Sequence, residues 1–298
     1  MNASGHNSDS SLRGGIVPDP CDRVVFATSD VVAGEFRCPT SYPAFATAGR
    51  INHYIVAFPR TSVWIEREAL PPFVADPGFA TIYNPHQPYQ RRPISPDGDR
   101  SDWLGISERL TRDAVRQFDA RDADHPLPLR HPAAAVSSET YLAQRQLFTR
   151  IASSIAEPME VEERALLLLV AVLRSAYAAS ECGREVAAPR RGRARRDLVE
   201  SAKAAMLSRL FENASVSEVA SDVDVSPYHL CRSFRAETGM TLHAYRRNIR
   251  LRTALGLTES YRGSLSALAL KAGFYSHSHF TTAFRHAFGV SPSIESRS

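Results

Sequence analysis

A 50-residue repeat governs how the last third of this 298-residue chain can fold. Leu230, Phe234, Arg235 and Gly239 return as Phe280, Phe284, Arg285 and Gly289. Upstream of each set stands a small residue, Ala220 or Ala269. Four positions later comes a residue suited to a tight left-handed turn, Asp224 or Gly273, and then an apolar one, Val225 or Phe274. Helix, turn, helix satisfies this spacing: the small residue lets two helices cross closely, and the turn residue accepts a positive φ. Two copies in the same order read as a tandem of such units.

The second helix of each unit has two faces. Leu230 and Phe234, at i and i+4, point into a core, while Tyr228, Cys231, Arg232 and Arg235 lie on the opposite side. In the second unit Phe280 and Phe284 take the core, leaving His277, Ser278, Thr281, Thr282 and Arg285 outside. Such a face matches the chemistry of a DNA major groove. Arginine can donate twice to guanine, hydroxyls take either role, and a threonine methyl can meet that of thymine. Between the units Arg246, Arg247, Arg250 and Arg252 fall on one long helical stretch, suited to phosphates. Residues 195–298 carry 14 Lys/Arg against 9 Asp/Glu, whereas residues 1–194 carry 22 against 23. A basic C-terminal third on a near-neutral body suits a polyanionic partner.

On these motifs residues 197–292 resemble the DNA-binding domain of the AraC/XylS family of transcriptional regulators. The matching stretches are Val225-Ser226-Pro227-Tyr228-His229-Leu230-Cys231-Arg232-Ser233-Phe234-Arg235, Glu237-Thr238-Gly239, and Ala272-Gly273-Phe274-Tyr275-Ser276-His277-Ser278-His279-Phe280 running on to Ala283-Phe284-Arg285-His286-Ala287-Phe288-Gly289-Val290-Ser291-Pro292. The resemblance implies two recognition helices entering successive major grooves of double-stranded DNA. Base reading is then expected from Tyr228, Cys231, Arg232, His277, Ser278, Thr281 and Thr282, and phosphate contact from Arg235, Arg285, Arg246 and Arg250. Arg232 stands between base and phosphate contact, and Tyr228 between base and backbone contact. Two positions depart from the family pattern: Asp224 replaces the usual turn glycine, and Thr282 stands where arginine is frequent.

The N-terminal half reads as β structure first and helices second. Val24–Phe26, Tyr54–Phe58, Ser62–Ile65 and Phe79–Tyr83 alternate with breaks such as Asp76-Pro77-Gly78, a spacing that suits a small barrel or sandwich. Helical patterns follow at Glu108–Phe118, Ser138–Ser153 and Val161–Ala179. The last is apolar around much of its circumference, so it is buried either in the chain's own core or against a second copy. The resemblance implies a cupin-like sensor that binds a small effector and dimerises through helices. The expected architecture is therefore α+β: a disordered tail (1–21), a cupin-like β-barrel with dimerisation helices (22–181), a basic linker (182–196) and a separate all-α domain with two helix-turn-helix motifs (197–298). Tyr54, Phe58, Trp64, Phe73 and Tyr83 can line an effector pocket or simply fill the core. Arg91 and Arg92 can neutralise an anionic effector or sit on a solvated turn.

Catalysis is not expected. His53 and His86 stand 33 residues apart with no HxH between strands, and no P-loop, GxGxxG, HExxH or GxSxG occurs. His277 and His279 point about 200° apart on a helix, which rules them out as a metal pair. Four scattered cysteines make no metal-ligand spacing and no disulfide framework. No apolar run approaches the ~20 residues of a spanning helix, and Met1–Ser11 lacks the apolar core of a signal peptide. A cytoplasmic transcriptional regulator is expected, without cofactor or membrane contact. Its partners would be double-stranded DNA, a second copy, a small-molecule effector and RNA polymerase. The alternatives are a regulator without an effector, an interaction module controlled by a protein partner, or a cupin-type metalloenzyme.

Overall fold

The computed structural model describes residues 21–47, 51–68, 70–181, 190–258, 261 and 264–292. The expectations for the N-terminal tail and for residues 182–189 lie outside these. Strands β1 (Asp22–Ala27), β2 (Val31–Cys38), β8 (Asp99–Ile106), β3 (Tyr54–Pro59), β6 (Phe79–Tyr83) and β9 (Ala133–Ala135) form, in that order, a six-stranded antiparallel sheet. A second sheet runs β5 (Leu70–Ala75), β4 (Val63–Arg67), β7 (Tyr89–Pro93).

Alternation along the strands separates two buried faces. Val31, Ala33, Val56, Phe58, Ile82, Leu104 and Ile106 point toward the helices. Val32, Ala57, Tyr83 and Trp103 point toward the smaller sheet, which contributes Tyr89 to the same cluster. Trp103 lies flat on Gly34, its register partner, so closely that a Cβ there would stand 2.2 Å from the indole.

The two sheets do not close into the expected barrel. β1 and β9 end the larger sheet without bonding to the smaller one. At an edge of the smaller sheet, β5 carries Pro71 and Pro72, which have no N–H to offer a further strand.

Helices α1 (Glu108–Arg116), α2 (Ala120–Asp124), α3 (Ser138–Ala152) and α4 (Pro158–Glu181) cover the outer face of the larger sheet. Val115, Tyr141, Leu147, Phe148, Val161, Leu169 and Leu173 are buried there. Among the described residues six α-helices follow: α5 (Arg190–Ser208), α6 (Val216–Asp222), α7 (Pro227–Thr238), α8 (Leu242–Leu255), α9 (Leu265–Lys271) and α10 (His277–Phe288).

Two expectations give way here. α5 begins at Arg190, inside the stretch read as linker, and there Arg195 (exposed) and Arg196 (buried) pair with Glu237 on α7 at 2.9 and 3.7 Å. The C-terminal helices are also not separate from the sensor half, since two hydrophobic clusters run across the boundary. Val199, Ala202, Val219, Leu230, Phe234, Tyr245 and Ile249 pack with Val74, and with the edges of Trp64 and Phe79. Leu251, Ala254 and Leu255, from the second half of α8, join Phe280 and Phe284 to the core beneath the larger sheet.

Buried polar groups match across the same boundary. The Glu200 carboxylate accepts from the Val74 N–H at 2.7 Å and holds Lys203 at 2.7 Å. Arg252 donates to the carbonyls of Pro77 (2.6 Å) and Val136. The Tyr245 hydroxyl donates to Asp76, which is wholly buried. That burial raises the Asp76 pKa above its ordinary value, against the opposing pull of Lys203 and the Tyr245 hydroxyl.

Candidate nucleic-acid interface

The two repeat units fold alike because the same local devices recur. In the first, Ser215 and Glu218 form a capping box at the start of α6, and the Val225 N–H closes the turn on the Ala220 carbonyl at 3.0 Å. Asp224 takes φ +54° in that turn. In the second, the Phe274 N–H closes on the Ala269 carbonyl at 2.9 Å, with Gly273 at φ +74°. α7 and α10 are each 12 residues long. Ser226 and Ser276 cap them by accepting from the N–H of His229 and His279, both at 3.2 Å. Each stops at a left-handed glycine, Gly239 or Gly289.

The correspondence is 49 residues through the turn and 50 from the capping serine onward, so the second turn holds one extra residue, Tyr275. It is 82% exposed at the entrance to α10. The sequence reading passed over it, although the change from 49 to 50 was the available signal.

On α7 Leu230 and Phe234 are fully buried, while Tyr228, Cys231, Arg232 and Arg235 are exposed, Tyr228 by 76%. On α10 Phe280 and Phe284 are fully buried. His277, Ser278, Thr282 and Arg285 are exposed there, and Thr281 is half-buried with its Oγ1 3.4 Å from His277 Nε2. Among the described residues Arg232, Arg235 and Arg285 have no ion-pair partner. Nearby, burial lowers the His243 pKa, and Arg247, Arg246, Arg250 and His279 lower it further, a sign of concentrated positive charge.

Arg250 does not belong to this surface, which corrects its assignment to phosphate. It is 8% exposed, and its donors go to the carbonyls of Leu210 (2.7 Å), Glu212 (2.7 Å) and Gly273 (2.9 Å). The guanidinium thereby ties the segment after α5 to the second turn, and lies so close to Gly273 that a Cβ there would stand 2.8 Å from Cζ. Arg246 is half-buried and spends one donor on the Ala214 carbonyl at 2.8 Å.

In the sensor half the five aromatic pocket candidates do not converge. Phe58 belongs to the main core, Trp64 to the cluster shared with the C-terminal helices, Phe73 to the cluster around Val63 and Ile65, and Tyr83 to the face under the smaller sheet; Tyr54 lies at the edge of the main core. Arg91 is not on a solvated turn. It is 3% exposed, donates to the Phe45 carbonyl at 2.8 Å and pairs with Asp99 at 3.4 Å. Arg92 is exposed against Glu66. Cys21 and Cys38 are buried and Cys231 is exposed. Among the described residues no three metal-ligating side chains cluster, and no helix is long and apolar enough to cross a membrane.

Residues 219–297 match the family described as "Helix-turn-helix domain". The "Uncharacterized HTH-type transcriptional regulator YidL" of Escherichia coli K12 is 33% identical over 95 residues, covering 32% of each chain. The "HTH-type transcriptional activator RhaR" of Pectobacterium carotovorum is 28% identical over 192 residues, 64% of this chain and 65% of that one. Against these relatives the chain thus spans between about a third and two thirds of their length. An AraC-type regulator structure from Chromobacterium violaceum is 28% identical over 34% of this chain and 90% of its own, at a TM-score of 0.33. Unsaturated fatty acid bound wild-type ToxT from Vibrio cholerae is 13% identical over 90% and 95%, at 0.34.

The C-terminal helices therefore form a helix-turn-helix domain of the class found in transcriptional regulators. The relatives matched there are named as HTH-type transcriptional regulators.

Proposed function

We propose that the chain is a sequence-specific transcriptional regulator that binds double-stranded DNA through α7 and α10 as paired recognition helices. One observation carries this reading: two helices of equal length, with the same serine cap and glycine stop, each burying an apolar pair at i and i+4 and exposing a polar, partly basic face. Tyr228, Cys231, Arg232, His277, Ser278, Thr281 and Thr282 read bases. Arg235, Arg285 and the free edge of Arg246 hold phosphates.

The sensor half takes a small effector, and RNA polymerase is the further partner of an activator. A second copy docks along α3 and α4. A groove of about 740 Å³ there is lined by Ala143, Leu167, Leu168 and Ala171, with Leu167 63% exposed. The test is retention of sheared genomic DNA by the purified chain at two salt concentrations, followed by sequencing. Discrete sites sharing a motif across two adjacent major grooves are expected, with affinity falling steeply as salt rises. Arg232→Ala should cost about 1–3 kcal/mol at one base step. A uniform loss on all sequences would move Arg232 to phosphate, and unselective retention lost at higher salt would overturn the reading.

A further inference from the structure

Among the described residues the other arginines drawn inside leave at most one buried nitrogen without a partner. Arg91 binds a carbonyl and a carboxylate, Arg252 two carbonyls, and Arg60 and Arg145 share Asp102. Arg67, the last residue of β4, differs. Its Nη1 donates to the Ile82 carbonyl at 2.7 Å, and its guanidinium carbon lies 3.9 Å from the centre of the Tyr83 ring. Nε and Nη2 are both shut off from solvent with no partner, and among the described residues no other arginine has both nitrogens of an edge buried and unpartnered. Buried N–H groups are costly to leave unmade. The Nε/Nη2 edge is also the one whose two parallel N–H groups fit a carboxylate.

A second unused group faces the same inter-sheet space. His53 Nε2 is buried without a partner, and the His53 Cβ lies 3.3 Å from the point where Gly105 would carry its own. Gly105, Ile55 and Tyr83 are register partners in a row across β8, β3 and β6. His53 over Gly105 and Arg67 over Tyr83 therefore bracket Ile55, two strand spacings or about 10 Å apart. Ile55 keeps partial solvent access between them. Burial lowers the His53 pKa, which keeps the ring neutral at pH 7 and able to donate or accept according to tautomer.

We infer that the inter-sheet space over Ile55 binds a small carboxylate, its two oxygens on the Nε/Nη2 edge of Arg67, its short apolar body over Ile55 and its far end toward His53. This deepens the effector reading and rests on it.

The test follows thermal unfolding of the full chain in formate, acetate and benzoate against formamide, acetamide and benzamide at equal ionic strength. At least one carboxylate should raise the Tm by about 2–4 °C over its amide. Arg67→Met should abolish that rise, and Arg92→Gln, an exposed arginine on β7, should keep it. Arg67→Lys retains charge without the two-donor edge and should lose most of the shift; it serves if the methionine variant does not fold. No carboxylate effect in the wild type, or an effect that survives Arg67→Met, overturns the inference. Selective DNA retention by the same preparations separates the two failures. Selectivity without a carboxylate effect sinks only this site, whereas lost selectivity sinks the regulator reading beneath it.

Discussion

Arg250→Ala separates a structural brace from a DNA contact. The wild-type guanidinium makes three hydrogen bonds to carbonyls, at 2.7, 2.7 and 2.9 Å. Hydrogen bonds from a charged donor contribute about 1.5–3 kcal/mol each, so the three set a ceiling of about 4.5–9 kcal/mol. The ceiling is not reached. Glu212 is exposed and Leu210 and Gly273 half-buried, so water can reach the abandoned carbonyls once the side chain is cut. A loss of about 2–4 kcal/mol remains, which lowers Tm by roughly 3–6 °C for a chain of this size. Calorimetry reads the stability, and fluorescence anisotropy on a selected DNA site across a salt series, well below both melting points, reads the contact. The slope of log K against log salt should match wild type for Arg250→Ala and flatten by about 0.9 for Arg235→Ala. An Arg250→Ala protein that melts within about 1 °C of wild type and loses about 0.9 from its salt slope would refute the brace.

Further outcomes follow from other contacts. Asp76 has a raised pKa in the folded chain, so folding takes up a proton between the ordinary carboxylate value and the raised one, and its contribution to stability is lost as pH rises through that window. Relative to Asp76→Asn, wild-type Tm should therefore rise as pH is lowered through that window, as pH-dependent melting will show. Phe280→Ala removes a wholly buried ring that meets Phe274 and Phe284 at 5.3 and 5.5 Å, and should cost about 3–5 kcal/mol in denaturant titration. Gly34→Ala places a methyl inside the Trp103 indole and should cost at least about 1–3 kcal/mol, with a shift in tryptophan fluorescence as the ring is displaced.

The repeat was legible because it is local. Ser226 and Ser276, the buried phenylalanines and the glycine stops all act within a dozen residues, and Asp224 takes the positive φ its position demands. The same locality hid Arg250, whose partners lie 40, 38 and 23 residues away and which shares its helix with Arg246, Arg247 and Arg252. Tyr89-Gln-Arg-Arg-Pro93 reads as a polar turn until β4 pairs with it and Asp99 meets Arg91 inside. The apolar α4 did announce burial. What covers it did not show, since a helix's hydrophobicity carries no address.

The clusters that cross from the sensor half into α5, α8 and α10 bear on how this chain can be re-engineered. Regulators built from independent modules tolerate exchange of their sensors. Here a cut near residue 197 would strip cover from Val199, Tyr245, Ile249 and Leu255, and would leave Glu200 without the Val74 N–H and Asp76 without the Tyr245 hydroxyl. A functional hybrid must therefore bring across the Asp76–Gly78 turn, Val74 and the Val136 carbonyl together with the helices that grip them, so that the unit of inheritance is the seam and not the domain.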